Sequence, residues 1–402
     1  MDLADTPQQA EYRAKVRAWA EQNRDASPPP VRGMHVEDVA PYRVWQGKLA
    51  RERLVGVTWP EAYGGAGLGP AEQMIVSAEL RAAGCAGIVD HIAIGELGPT
   101  IIAHGSEEQK QRYVAPMLHG EEGWCQLFSE PAAGSDLAGI QTRSKRTEHG
   151  WSISGQKVWT TMAQFADYGL LLARTNPDVP KHKGLSMFIV PMKAPGVAVR
   201  PLRQISGDAN FNEVFFDDVA LDEDALVGPV DGGWGVSMTT LMFERMMVLS
   251  ALEELPVGAQ TFVAPLLGNP ALDDPHVRQR LAELAVERIA LQYTAYRALT
   301  KLAQGQIPGP EAGLGKIGVM EAGRKGCELV ADVLGPDALE GEWGELAAEM
   351  PGMRSAGGTE EILRTTIGER VLGLPPEPRL DKKLPFKDLG RNSASEAEAV
   401  PS

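Results

Sequence analysis

From residue 5 to about 120, apolar positions return every three or four residues, the period of a helix. One start is spelled out. Ser106-Glu107-Glu108-Gln109 is a capping box, in which the serine and glutamine side chains satisfy each other's free backbone N–H groups. The Pro and Gly cluster WPEAYGG at 59–65 reads as a loop. From about 122 to 230 the pattern changes to short β-rich runs between turns: GWSISG, YGLLLART, GLSMFIVPM, GVAVRPL and NEVFFDDV. These runs follow one another without intervening helices, which favours a small sandwich or barrel over a parallel sheet. From about 234 to 372 the helical period returns. Asp274-Pro275 reads as an N-cap with proline at the first helical position. Val277, Leu281, Leu284, Ile289, Tyr293 and Tyr296 then trace one broad face up to Gly305. A further helix is expected from about Pro310 to Leu334, stopped by Gly335-Pro336. Long helices with short connections make a bundle.

The expected architecture is α+β: an N-terminal helical domain (1–121), a middle β-barrel or sandwich domain (122–232), and a C-terminal four-helix bundle (233–375). The segment 376–402 ends in RNSASEAEAVPS, small and polar, and is expected to be partly disordered. A ligand in such a chain sits in a cleft between domains.

Charge and cysteine usage narrow the function classes. A formal net charge of -15 argues against general nucleic-acid binding, although a local patch can still hold an anion. Cys85, Cys125 and Cys327 are far apart and form no C-x-x-C pair, which fits a reducing cytoplasm rather than a disulfide framework or zinc site. No segment is apolar enough to span a bilayer, and the N-terminus has no signal core. The glycine-rich stretch at 64–69 does not spell a dinucleotide fingerprint, and the seven histidines show no metal spacing.

Three places carry candidate chemistry. In the run GVSMTTLMFERMMVL, a helix puts Glu244 on one face with Leu241, Met247 and Val248. A carboxylate on an apolar stripe is costly unless it is paired or protonated. Desolvation raises its pKa, which suits a base working near neutral pH. The alternative is an ion pair to Arg245 or to another helix. The second place is Trp159-Thr160-Thr161, where an indole can lie against a flat cofactor ring and a hydroxyl can hydrogen-bond beside it. A half-buried strand end has the same composition. The third is the turn SEPAAGSD at 129–136, whose small residues let backbone amides approach an anion. An ordinary turn is the plainer reading.

These places fall into one pattern. The stretches WCQLFSEPAAGSDLAGIQT, GQKVWTT, FNEVFFDDVALDEDALVG followed by GWGVSMTTLMFER, and AGGTEEILRTTIGERVLGLP occur in that order. With them the chain resembles the acyl-CoA dehydrogenase family from about residue 5 to 375. The resemblance implies FAD as cofactor and an acyl-CoA thioester as substrate. A carboxylate takes the α-proton, the flavin N5 takes the β-hydride, and an electron-transfer flavoprotein or similar acceptor reoxidises the flavin. It implies Glu244 as the base, in the subgroup whose glutamate lies in a Leu-x-x-Glu-Arg helix. Gly357 occupies the position where many members carry the base, and its backbone N–H is matched to the thioester oxygen. Phe128, Ser129, Ser135, Trp159, Thr161, Thr359 and Glu361 match cofactor-contacting positions. Ser135 and Arg245 match substrate-contacting ones.

Two departures bear on assembly. The family's Arg-x-x-Phe-Gly run, which reaches the FAD of a neighbouring subunit, is replaced within EELPVGAQTFVAPLLGNPALDD. Its Gln-x-x-Gly-Gly is replaced by Asp332-Val333-Leu334-Gly335-Pro336, which would set a carboxylate near a pyrophosphate. The resemblance implies a homotetramer or homodimer, and the departures leave a heteromer open. A non-catalytic or half-site partner subunit is therefore the alternative function, and an oxidase on the same fold is a third.

Overall fold

A computed structural model describes residues 5–30, 38–250, 266–304, 306, 309–378 and 380–389. The N-terminal part holds helices α1 (Pro7–Asn23), α2 (Ala40–Arg51), α3 (Pro70–Ala82), α4 (Gly98–His104) and α5 (Glu107–Leu118), with a π-helical turn at Ala93–Leu97 leading into α4. The capping box at Ser106 forms, with Gln109 N on Ser106 Oγ and Ser106 N on Gln109 Oε1. Gln109 Nε2 also donates to Asp224 O at 2.6 Å and Leu226 O at 3.0 Å, so one side chain caps the helix and ties it to the β region.

That region contains β1 (Trp124–Leu127), β2 (Arg143–Arg146), β3 (Gly150–Thr161), β4 (Tyr168–Arg174), β5 (Leu185–Pro191), β6 (Val197–Leu202), β7 (Phe211–Asp222) and β8 (Leu226–Val227). They form one sheet in the order β6-β7-β3-β2-β4-β5-β8, with β1 alongside β4. Most pairs are antiparallel; β4 lies parallel to β1 and β2. The sheet curls around its own core, bringing Trp151 of β3 edge-on to Phe188 of β5 at 5.2 Å. Alternation along β4 explains its unbroken apolar run. Leu171 and Ala173 face this inner core, while Leu170 and Leu172 pack with the N-terminal helices. Both faces are buried, and the N-terminal helices and the outer face of the sheet share one core.

The C-terminal part holds α6 (Gly233–Ser250), α7 (Pro275–Ala303), α8 (Gly313–Leu334), α9 (Gly341–Ser355) and α10 (Glu360–Arg370). Asp274 Oδ1 accepts from His276 N at the expected start of α7. Gly305 and most of the segment lacking Arg-x-x-Phe-Gly lie outside the described residues. The expected single apolar face of α7 divides. Val277, Leu281 and Leu284 join a core with α8 and α9, whereas Ile289 and Tyr293 are exposed. At about 100° per residue they fall on the side away from Leu284.

Residues 380–389 precede the polar RNSASEAEAVPS stretch and are ordered. They form two short 3-10 turns laid on the middle domain, with Phe386 N donating to Val179 O at 2.9 Å. The Arg174 guanidinium stacks on Phe386 at 3.5 Å, and Lys181 pairs with both Asp136 and Asp381. Residues 390–402 lie outside the described residues. Among the described residues, no helix is long and apolar enough to cross a membrane, and no cluster of metal-ligating side chains occurs.

Candidate active site

Four separate segments build one cleft. Glu244 and Arg245 come from the second half of α6, Gly313 and Lys316 from α8, Ala312 from the turn before it, Gly357 from the loop before α10, and Leu363 from α10. The first half of α6 is pinned by polar contacts that survive in a buried seam. Thr240 Oγ1 lies 3.1 Å from Thr100 Oγ1, and His104 Nε2 lies 2.8 Å from Thr239 Oγ1. Gly233 starts the helix against the Ser186 backbone, where a Cβ would come within 2.6 Å.

Glu244 is half-buried and points at the 357–358 loop. Gly357 has a φ of +61°, and a Cβ placed there would stand 2.6 Å from Glu244 Oε1 and 3.8 Å from Lys316 Nζ. The carboxylate therefore fills the space that a side chain at 357 would take. Burial lifts its pKa above the usual carboxylate range, while Lys316, Arg245 and Gln126 pull against that rise. Lys316 is buried, bonds the Gly358 carbonyl through Nζ, and has its own pKa lowered by desolvation. Arg245 is likewise lowered by burial. The ion-pair alternative thus has a physical basis: Lys316 is the counter-charge from another helix. Its ammonium bonds the Gly358 carbonyl and acts on Glu244 through charge.

Gln126 on β1 joins this cleft to a second group of residues. Its Nε2 is buried without a hydrogen-bond partner, and Phe128 and Ser129 follow it at the end of β1. Ser129 O accepts from Val158 N at 2.9 Å, which fixes that peptide beside β3. Beneath it, the fully buried Lys157 donates to Phe128 O at 2.9 Å and Glu130 Oε1 at 2.8 Å. Glu130 also takes the Gln141 and Thr142 backbone N–H groups at 2.6 and 2.9 Å. A register irregularity lies between Lys157 and Thr160, and Trp159 has a φ of +59°. Left-handed backbone is uncommon for a bulky residue, and bulges re-aim side chains. The outcome is an indole 61% exposed at the end of an otherwise buried strand, with Thr161 half-buried beside it.

The remaining expected residues are more peripheral. Thr359 caps α10, its Oγ1 accepting from Ile362 N at 3.2 Å, and Glu361 in the first turn is exposed. Ser135 lies exposed on the turn whose Asp136 pairs with Lys181. Of the expected residues, Glu244, Arg245 and Gly357 line the cleft, and the cofactor-matched ones do not. Asp332 pairs with Arg280 at 2.8 Å, so its carboxylate is partly neutralised by α7. Sequence reasoning missed Lys316 and Gln126. A lone lysine among the small and apolar residues of GLGKIGVM was the available signal for the first, and Gln126 lay inside a quoted motif.

Known proteins place the chain further. Models of the acyl-CoA dehydrogenase N-terminal, middle and C-terminal domains match residues 6–121, 125–219 and 231–372. The chain is 36% identical to the acyl-CoA dehydrogenase IpdE1 of Mycobacterium tuberculosis, over 92% of this chain and 98% of that protein. Among solved structures, the Tcur3481-Tcur3483 steroid ACAD is similar at a TM-score of 0.79 and 28% identity, covering 94% of this chain and 100% of that one. The ChsE4-ChsE5 complex from Mycobacterium tuberculosis is similar at a TM-score of 0.74 and 27% identity, with 94% and 100% covered.

Proposed function

The chain belongs to the acyl-CoA dehydrogenase family, and from that premise we propose that it desaturates an acyl-CoA thioester with Glu244 as the base that takes the α-proton. The observation that carries this reading is the seating of the Glu244 carboxylate against Gly357, at the mouth of a cleft that Arg245 and Lys316 also line. Burial raises the proton affinity of Glu244, and the two cations keep the carboxylate available near neutral pH. The Gly357 N–H is the donor for the thioester oxygen, where negative charge grows as the α-proton leaves. Arg245 holds the substrate end of the cleft.

The residues also fit FAD. An indole held outward by a bulge, with Thr161 beside it and the Phe128–Ser129 peptide fixed alongside, is a platform for a flat ring. Thr359 at the cap of α10, Glu361 in its first turn and Ser135 on the 129–136 turn would hold further parts of the FAD. A bound FAD supplies the acceptor for the β-hydrogen as hydride. An electron-transfer flavoprotein or similar acceptor, a cytoplasmic location and a role in β-oxidation complete this reading.

The second reading is a mixed oligomer. The departures at 253–274 and 332–336 favour it, and two similar structures are named for paired components. In that assembly this chain is the catalytic half, because base, Gly357 donor and indole platform all lie on it. A panel of straight, branched, aromatic and sterol-derived acyl-CoA thioesters, assayed with an artificial electron acceptor, identifies the acyl group. Glu244→Gln keeps size and helix propensity and removes the proton acceptor. Turnover should fall at least about a hundredfold with FAD still bound. Near-normal turnover would give the base to another residue.

A further inference from the structure

Behind Glu244 stands a second carboxyl that the proposed reaction does not use. Glu96 is only 2% exposed, and its Oε2 is shut off from solvent with no hydrogen-bond partner. It lies on the π-helical turn Ala93–Leu97, which packs against α6. A π turn inserts one extra residue and re-aims the side chains around it, and such turns gather at functional sites. The approach to α6 is close: a Cβ on Gly95 would come within 2.7 Å of Met247 Sδ. Met247 is three residues beyond Glu244, on the same face of α6. Glycine at 95 therefore lets the turn sit against the face that carries the base.

A lone carboxylate does not stay charged in such a place. Burial, and then the like charge of Glu244, hold the Glu96 proton well above the usual carboxylate range. Among the described residues, the elements packed on the turn offer no cation to offset this, and His91 at its start is itself disfavoured as a cation by burial. On α4, His104 is bonded to Thr239, and β1 (Trp124–Leu127) carries no charged side chain. On α5, Lys110 and Arg112 are turned to Glu107 and Glu122. The nearby cations, Lys316 and Arg245, act on Glu244.

We propose that Glu96 is a positioning residue for the base: it stands as a carboxylic acid and donates its O–H through one bridging water to the Glu244 carboxylate. This rests on Glu244 being the base. The active pair then carries one proton, and the two groups titrate together. The donor stabilises the Glu244 carboxylate, so the pair releases its first proton at a lower pH than a buried glutamate alone. Release of the second puts two like charges side by side and closes the active window on the alkaline side.

The test uses the FAD-loaded enzyme and two readouts, the pH profile of kcat/KM and the exchange of the substrate α-hydrogen with D2O. The exchange reads the base without the hydride step. Glu96→Leu removes the donor. It should move the acid limb up by about one pH unit and slow exchange below that limb by about tenfold. Glu96→Gln keeps an N–H donor but cannot ionise. It should leave the acid limb in place and abolish the alkaline limb. The proposal is overturned if Glu96→Leu leaves the acid limb unmoved, or if Glu96→Gln moves it as far as leucine does. Should the leucine variant fail to fold, an unchanged alkaline limb in Glu96→Gln overturns it alone. Exchange that persists in Glu244→Gln would remove the base itself; exchange lost there, beside an unmoved limb in Glu96→Leu, removes only the role of Glu96.

Discussion

Gly357 and Glu244 share one space, and the roles proposed for both depend on that geometry. Any side chain at 357 meets a positive φ and a carboxylate oxygen 2.6 Å from its Cβ. Gly357→Ala should push the base or the loop out of place. A shift of about 1 Å costs on the order of a hundredfold in rate, so kcat should fall sharply while flavin content stays near one per chain. Wild-type turnover in this variant would show that the carboxylate is not held there. The Lys157–Glu130 pair is the other residue-level commitment. Its lysine is fully buried and its carboxylate nearly so. Lys157→Met leaves Glu130 charged and unpaired beneath the indole platform, at a cost of about 3–5 kcal/mol, measurable as a lower denaturation midpoint. Lys157→Met together with Glu130→Leu should recover part of that loss, because the cost lies in the orphaned charge. Glu244 was legible in sequence as a candidate: a carboxylate on an apolar helical stripe left base and ion pair both open, and the family resemblance chose between them. Glu96 was not, since its meaning comes from a π turn and from a helix far away in sequence.

At the scale of elements, local pattern went as far as local forces reach. The strand at 150–161 was legible from β-rich composition, but the bulge that turns Trp159 outward depends on register with β7, which no single strand encodes. The docking of 380–389 was hidden for the same reason: its partners Arg174, Lys181 and Val179 belong to the β4–β5 region. Helix α1 shows how an amphipathic element is clamped. Arg17 and Arg13 both hydrogen-bond the buried Glu79 carboxylate of α3, at 2.8 and 2.9 Å, and hold its pKa below the usual value. A carboxyl with a depressed folded pKa adds stability that is complete above its unfolded value of about 4.5. That contribution is lost as pH falls through the lower folded value. Amide exchange in α1 should therefore stay slow from neutral pH down to about 4.5 and quicken below it. In Glu79→Gln, exchange in α1 should be faster already at neutral pH, with the acid-dependent step gone. An acid-dependent step that persists unchanged would move the linkage to another carboxyl.

At the scale of the whole molecule, the C-terminal bundle carries more apolar surface than one chain covers. Val286, Ile289 and Tyr293 on α7 are 66%, 52% and 49% exposed, at spacings that place them on one face. The sequence pattern showed these residues as apolar and helical, but could not divide the face of α7 between the chain's own core and its outside. On the proposed reading of Trp159 as a flavin platform, a monomer would also leave that platform open, because the indole is 61% exposed with Phe211 edge-on to it at 6.1 Å. Both features are met by a second subunit laid on α7, through an interface that buries on the order of 2,000 Å² or more. Val286→Lys with Tyr293→Lys puts two charges into that face and touches no residue of the cleft. Light scattering should show the assembled protein falling to monomer, with FAD released on dilution, because cofactor and interface are linked by mass action. If the chain expressed alone is already a colourless monomer, co-expression with a second chain of the same family should restore colour and assembly together, which would identify the mixed oligomer. A flavin-loaded, fully active monomer, in the parent or in the double variant, would refute both the interface and the shared site.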